Sequence, residues 1–308
     1  MLRRLFARLR PKRLAAAPRY RGEAKIAISH VRHSYDKVVA LKNVSLDVHP
    51  GEFVCLLGPS GCGKSTLLYA LAGHVTPKSG KITIDGKPVV GPDPQRLLMF
   101  QEAGLFPWLT VKQNLTFALR TKPLTRAQCE TRALEFLRQV NLAGFEDALP
   151  HQLSGGMRMR VSLARALAMD PAVLLMDEPF GPLDAETRDK MHQLLQRIWV
   201  GTGKTVVFVT HDIREALVLG DRVVVMAGRP GRILNDVEIT QPRPRDPDDE
   251  ALVQRSREIR RALRKAEAAT QPQGAPERTG EDEHEATASP GPAVGPPPGG
   301  AGALGARL

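Results

Sequence analysis

The chain has 308 residues, 42% of them hydrophobic, enough for a substantial α/β core, and a formal net charge of +11. That charge does not mark a nucleic-acid-binding body: residues 1–25 hold nine Lys/Arg against one Glu and residues 251–269 six against two, whereas residues 26–250 hold 27 against 25. No apolar run approaches the roughly 18 residues of a membrane-spanning helix. Cys55, Cys62 and Cys129 show neither C-x-x-C nor metal-ligand spacing, which suits a reducing, cytosolic compartment.

In chain order, residues 1–24 form a basic arm in which Leu2, Leu5, Phe6 and Leu9 recur at helical spacing among arginines. Such a segment suits an anionic membrane surface, but Pro11 stops the helix early, so a frayed, disordered arm is the simpler expectation. Residues 26–28 and 44–48 alternate as half-buried strands do. The apolar run 53–57 is followed by Gly58-Pro59-Ser60-Gly61-Cys62-Gly63-Lys64-Ser65-Thr66 and then by an apolar helix to about Gly73. Residues 81–85 and 97–101 read as strands, the second ending in Gln101. Residues 112–149 read as helical, most periodically over 126–140. Leu153-Ser154-Gly155-Gly156 opens a long helix to Met169, which Asp170-Pro171 ends.

Residues 173–178 form a buried strand ending in two acids, Asp177 and Glu178. A helix over 185–200, a strand over 205–209 running into Thr210-His211-Asp212, a helix to Leu219, and strands at 222–226 and 232–234 complete the core. A charged helix spans 246–269, and the Pro/Gly-rich stretch 270–308 reads as disordered.

Strand, G-x(4)-G-K-S and helix together make a phosphate-binding loop. Gly58, Gly61 and Gly63 allow the positive φ values by which successive N–H groups point at one anion, and the helix aims its positive end at the same spot. Lys64 adds a charge for the outer phosphates and Ser65 a hydroxyl for Mg²⁺. Adjacent carboxylates at a buried strand end repel unless a cation is there. Ser154 reads first as the N-cap of its own helix. A histidine at the C-terminal edge of a parallel sheet, such as His211, lies where ligands bind.

The motif Leu153-Ser154-Gly155-Gly156, shortly before the Asp177-Glu178 strand, narrows the class. With these motifs in this order over about residues 26–245, the sequence resembles the ATP-binding cassette family, the nucleotide-binding subunits of ABC transporters. The resemblance implies a cassette of α/β class over 25–245: a mostly parallel core sheet flanked by helices, an antiparallel β subdomain, and a helical signature subdomain at about 102–170. It implies ATP and Mg²⁺ as cofactors, with Tyr35 stacking on adenine and the loop from Gly58 to Thr66 on the phosphates. Asp177, with Ser65 and Gln101, would hold Mg²⁺, and Glu178 would orient or deprotonate the attacking water. His211 would contact the γ-phosphate, and the loop at Gln101 would touch a membrane partner. Leu153, Ser154, Gly155 and Gly156 would meet the nucleotide of a second copy in a head-to-tail dimer, and Asp184 would communicate across it. Met159 stands where the family usually has Gln, and Pro182 where it has a small residue; both are expected at the dimer interface.

Three stretches, 100–111, 177–184 and 210–233, look like the nitrate/sulfonate/taurine import ATPases. That likeness implies a separate permease and, indirectly, a periplasmic or lipid-anchored substrate-binding protein. It also implies a peripheral place on the cytoplasmic face of a bacterial inner membrane, with no specific nucleic acid. The absence of long coiled-coil insertions or a second cassette argues against a soluble relative acting on DNA or ribosomes. A metabolic kinase has no use for Leu153-Ser154-Gly155-Gly156.

Overall fold

Two sheets organise this computed structural model, which describes residues 22–246 and 249–270. The expectations for the arm up to residue 21 and for the tail beyond residue 270 lie outside those residues. The chain begins with β1 (Ile26–Tyr35), β2 (Val38–Val48), β3 (Phe53–Leu57), α1 (Lys64–Ala72), β4 (Ser79–Ile84), β5 (Lys87–Pro88) and β6 (Arg96–Met99). It continues with α2 (Val111–Leu119), α3 (Arg126–Gln139), a 3₁₀ turn (Pro150–Gln152), α4 (Gly155–Ala168), β7 (Val173–Asp177) and α5 (Ala185–Val200). Last come β8 (Thr205–Thr210), α6 (Ile213–Leu219), β9 (Arg222–Ala227), β10 (Arg232–Glu238) and α7 (Glu250–Thr270).

The central sheet has the order β10-β9-β3-β8-β7-β6. Strands β9, β3, β8, β7 and β6 run parallel, and β10 closes the edge antiparallel to β9. Every residue of β3, β7 and β8 is buried, the unbroken apolar pattern of parallel strands covered on both faces. Alternate residues enter opposite cores: Cys55, Leu57, Leu174, Met176 and Phe208 face one, Val54, Leu56, Leu175, Val207 and Val209 the other. The first core holds the signature helix α4; the second holds α1 and the inner face of an antiparallel sheet ordered β2-β1-β4-β5. The helix carrying the phosphate loop is thus clamped between two sheets.

Several elements differ from expectation. The short strands at 26–28 and 44–48 are ends of one long hairpin, Ile26 opposite Val48. The helical stretch 112–149 is two helices, each started by a threonine capping box, Thr110 with Gln113 and Thr125 with Gln128. Pro123 lies in the break between them. Strand β6 stops at Met99, so Gln101 lies in the loop beyond it. Met159, expected at an interface between copies, is 3% exposed and packs in the chain's own core. The core continues past residue 245, because Leu252 and Ile259 of α7 are buried in it and Arg243 and Arg245 are buried before it. Among the described residues no helix is long and apolar enough to cross a membrane.

Candidate functional site

The parallel strands deliver their loops to one edge of the sheet: the glycine loop after β3, Asp177 and Glu178 at the end of β7, and His211 just after β8. This is the C-terminal edge, where α/β sheets bind ligands. Gly63, at φ 91°, caps α1, and Gly61 sits at φ 79°. Gly58 does not take a positive φ, contrary to expectation. It is required for a different reason: a Cβ there would lie 2.1 Å from the Met226 carbonyl oxygen on β9. Lys64 is 4% exposed and threads the loop, its Nζ donating to the carbonyls of Gly58 (2.8 Å) and Pro59 (3.0 Å) and lying 3.7 Å from Glu178 Oε1. Cys62 is packing material; burial pushes its thiol up.

Ser65 Oγ donates to Asp177 Oδ1 at 2.9 Å, joining the start of α1 to the end of β7. Glu178 follows at φ 43°, a left-handed conformation that costs a non-glycine residue about 1–3 kcal/mol and is typical of functional turns. The turn aims its carboxylate back over the loop, where Oε2 lies 2.9 Å from His211 Nδ1. The Gln101 amide rests against the same turn, its Nε2 3.3 Å from where a Cβ on Gly181 would stand. Lys64, Ser65, Asp177, Glu178 and His211 are therefore brought together, with Gln101 against the turn that follows Glu178.

The Ser65 hydroxyl and the Asp177 carboxylate are hard oxygen ligands, and among the described residues no cluster of three or more His, Cys, Asp or Glu could cage a metal alone. That donor set fits Mg²⁺, which is held by one or two protein oxygens together with substrate phosphates and water.

The remaining candidates stand elsewhere. Tyr35 is half exposed at the end of β1, its ring edge-on to His33 at 4.7 Å. Ser154 caps α4, accepting from Met157 N at 3.3 Å. Leu153 is buried, and Gly156 admits the α5 side chain of Thr187, whose Cγ2 would be 2.5 Å from a Cβ there. Gly155 lies near Leu183, so the signature tip abuts the loop of Asp184. Asp184 caps α5 through Thr187 N at 2.9 Å, and that backbone bond holds its carboxyl below the usual range. Among the described residues no hydrogen bond or ion pair joins Ser154 or Asp184 to Pro59, Ser60, Thr66 or the rest of the phosphate loop.

Two neighbours of the site went unforeseen. Tyr69 stands one turn after Ser65 on α1; burial and a hydrogen bond with Asp177 push its phenol up to about 12, and its ring meets Phe100 at 6.3 Å. The i, i+4 spacing from Ser65 was the available signal. Arg229, in the β9–β10 turn, donates to Ser60 O at 3.1 Å and lies on Gly61, where a Cβ would be 2.7 Å from its guanidinium. Nothing local in the sequence announces that contact.

A phosphate loop, an acid pair and a histidine converging on one edge of a parallel sheet define a P-loop nucleoside triphosphatase. The family model described as ABC transporter matches residues 41–181. An uncharacterized ABC transporter ATP-binding protein of Methanocaldococcus jannaschii is 50% identical over 211 residues, covering 68% of this chain and 79% of the relative. The taurine import ATP-binding protein TauB of Yersinia pestis is 46% identical over 212 residues, 69% of this chain and 83% of that protein. Among solved structures, a dimeric ATP-binding cassette in a post-hydrolysis state bound to ADP and Pi superposes with a TM-score of 0.62 at 34% identity, over 70% of this chain and 99% of that one. The cbiO1 protein of Clostridium perfringens, part of the ABC transporter complex cbiONQ, gives 0.66 at 28% identity over 78% and 96%. The chain belongs to the ABC transporter ATP-binding family, and it is an ATPase.

Proposed function

We propose that this chain is the ATP-hydrolysing subunit of a bacterial importer for a small anion of the nitrate, sulfonate or taurine kind. Two copies would close head to tail around two ATP molecules, drive a separate permease, and receive solute from a substrate-binding protein outside the membrane. The observation that carries the reading is the division of the site. Lys64, Ser65, Asp177, Glu178 and His211 form one connected group. The Ser154 helix tip and Asp184 abut each other as a second surface with no bond to the first. Each half lacks what the other supplies, and a two-fold axis would complete both. The relative solved as a dimer with ADP and Pi supports the pairing of two copies.

Within each half, the loop N–H groups and Lys64 bind the phosphates, Lys64 exchanging its carbonyl partners for phosphate oxygens. Tyr35 offers an exposed ring for the adenine. Ser65 and Asp177, with Gln101 from its loop, would hold Mg²⁺, which would supply neutralising charge when bound. Glu178 orients the attacking water and takes its proton, while His211, hydrogen-bonded to Glu178, faces the γ-phosphate. The partner's Ser154 hydroxyl and helix N–H groups close over that phosphate. Charge-assisted hydrogen bonds contribute roughly 1.5–3 kcal/mol each. A few per site suffice for the about 5.5 kcal/mol that turns an equilibrium from 1:99 to 99:1.

A transporter partner, and with it a peripheral place at the membrane, is supported by cbiO1, a part of a transporter complex, and the solute class by the taurine import relatives. Residues 26–250 hold 27 Lys/Arg against 25 Asp/Glu, and this near balance supports a body with no specific nucleic-acid partner. The test is Glu178→Gln: it is expected to bind ATP, dimerise in light scattering, and hydrolyse at least 100-fold more slowly. Undiminished hydrolysis, or a monomer under trapped nucleotide, would overturn the reading. With the permease reconstituted, stimulation of turnover by taurine, alkanesulfonate or nitrate would identify the solute class.

A further inference from the structure

Helix α5 starts at Asp184, on the second surface, and helix α6 starts at Asp212, the residue after His211 in the first. The two helices are joined at two successive turns. Arg188 Nη2 donates to Leu183 O at 2.7 Å and Nε to Phe180 O at 3.4 Å, while Nη1 lies 3.9 Å from Asp212 Oδ2. Four residues on, and so on the same face of α5, His192 Nε2 lies 2.8 Å from Glu215 Oε1, with both side chains almost wholly buried. The His192 ring also stands 5.6 Å from Phe180, and its other nitrogen 3.7 Å from Asp189. Asp212, the carboxylate facing Arg188, is itself the N-cap of α6, accepting from Arg214 N (2.8 Å) and Glu215 N (3.4 Å). The same residue therefore sets the direction of α6 and the root of the His211 loop.

Stability alone does not account for the deeper of these contacts. A buried polar or ionic pair is often matched or bettered by apolar side chains of similar volume, whereas it fixes register and orientation in a way that apolar contact does not. Here the register it fixes is that of the two helices that start at Asp184 and Asp212.

We propose that Arg188 and His192 are positioning residues for His211. Through them α5 and α6 move as one arm, so that a contact made at Asp184 by a second copy is delivered to the His211–Glu178 pair. Dimer closure and the alignment of the hydrolytic pair are then a single event. This rests on the roles proposed above for His211 and Asp184.

The test uses the full chain and three readouts: steady-state ATP turnover, binding of a fluorescent ATP analogue without turnover, and thermal unfolding. His192→Phe keeps a ring beside Phe180 and removes the bond to Glu215; Glu215→Ala removes it from the other side. Glu215→Gln leaves an amide oxygen that still accepts from Nε2. The expected result is an about tenfold lower kcat at unchanged KM and nucleotide affinity for His192→Phe and for Glu215→Ala. The combined variant should be no slower than either alone, and Glu215→Gln should stay within about twofold of the parent. Full kcat in either single variant would overturn the proposal, as would losses that add, or a Glu215→Gln chain as slow as Glu215→Ala. If the truncations fail to fold, hydrogen exchange on the unmodified chain decides. Amides of α5 and α6 should open as one cooperative unit, and independent opening would sink the idea. A Glu178→Gln chain that hydrolyses at full rate would remove the site reading itself. A dead Glu178→Gln chain beside a fully active His192→Phe chain would remove only this inference.

Discussion

Replacing Gly58 with alanine adds one methyl at the base of the phosphate loop. That methyl would stand 2.1 Å from the Met226 carbonyl oxygen and 2.9 Å from Cys62 Sγ. Ordinary non-bonded contact begins near 3.5 Å, so loop and strand must part by roughly 1.4 Å. Strand β9 cannot yield easily, since Val225 pairs with Leu57 of β3 on one side and Met226 with Ile233 of β10 on the other. The loop moves instead, and it carries the carbonyl on which Lys64 is anchored. Overpacking of this kind costs about 1–3 kcal/mol. At roughly 2–4 °C per kcal/mol for a chain of this size, the midpoint of thermal unfolding should fall by about 2–12 °C. An ångström of misplacement at a phosphate cradle is worth on the order of 100-fold in function, so nucleotide affinity should fall more steeply than stability. Gly91→Ala is the control, because a Cβ there meets nothing within 4 Å. Circular dichroism melts and titration with a fluorescent ATP analogue would check both effects. A Gly58→Ala chain that melts and binds like Gly91→Ala would refute the close-approach argument.

Other outcomes follow from the same geometry. Asp221→Ala strips the partner from Arg243, a 2.6 Å ion pair with both side chains buried, and takes an acceptor from Phe53 N. Removing one member of such a pair costs about 3–5 kcal/mol. The melting midpoint should drop by roughly 6–20 °C, and a change under 2 °C would deny that Asp221 anchors the segment after β10. Glu52 is almost fully buried against Arg222, and burial raises its carboxyl above the ordinary value. Its contribution is fully present below the ordinary carboxylate pKa and is lost as pH rises through the raised one. Glu52→Gln should therefore gain stability relative to the parent as pH climbs out of the carboxylate range, and parallel pH–stability curves would be the contrary result. Ser154→Asn should still cap α4, with stability within about 0.5 kcal/mol of the parent. In a Glu178→Gln background it should nevertheless fail to dimerise with ATP in light scattering; unimpaired dimerisation would confine Ser154 to capping its own helix.

What the bare sequence discloses of this molecule is set by where a backbone or a ligand dictates the residue. The strands at β3, β7 and β8 are legible because a parallel strand covered on both faces has to be apolar throughout, and Asp177 and Glu178 are legible because they interrupt such a run. Gly61 and Gly63 are legible because only glycine takes their φ cheaply. Gly58 shows the limit of that logic: its φ is not positive, and what excludes a side chain there is Met226, on a strand far along the chain. The same limit hides Arg243 and Arg245, which sit in a Pro- and Asp-rich segment resembling a tail yet are buried against Asp221 and the end of α6. It hides His192, whose partner is 23 residues away on the next helix. Local motifs repeat because each needs particular atoms at a particular turn. The contacts that join one motif to another can be built from many residue pairs, so they carry no recognisable spelling. The His192–Glu215 and Arg188–Asp212 contacts between α5 and the start of α6 are of that second kind, so they are visible in the fold and not in the bare sequence.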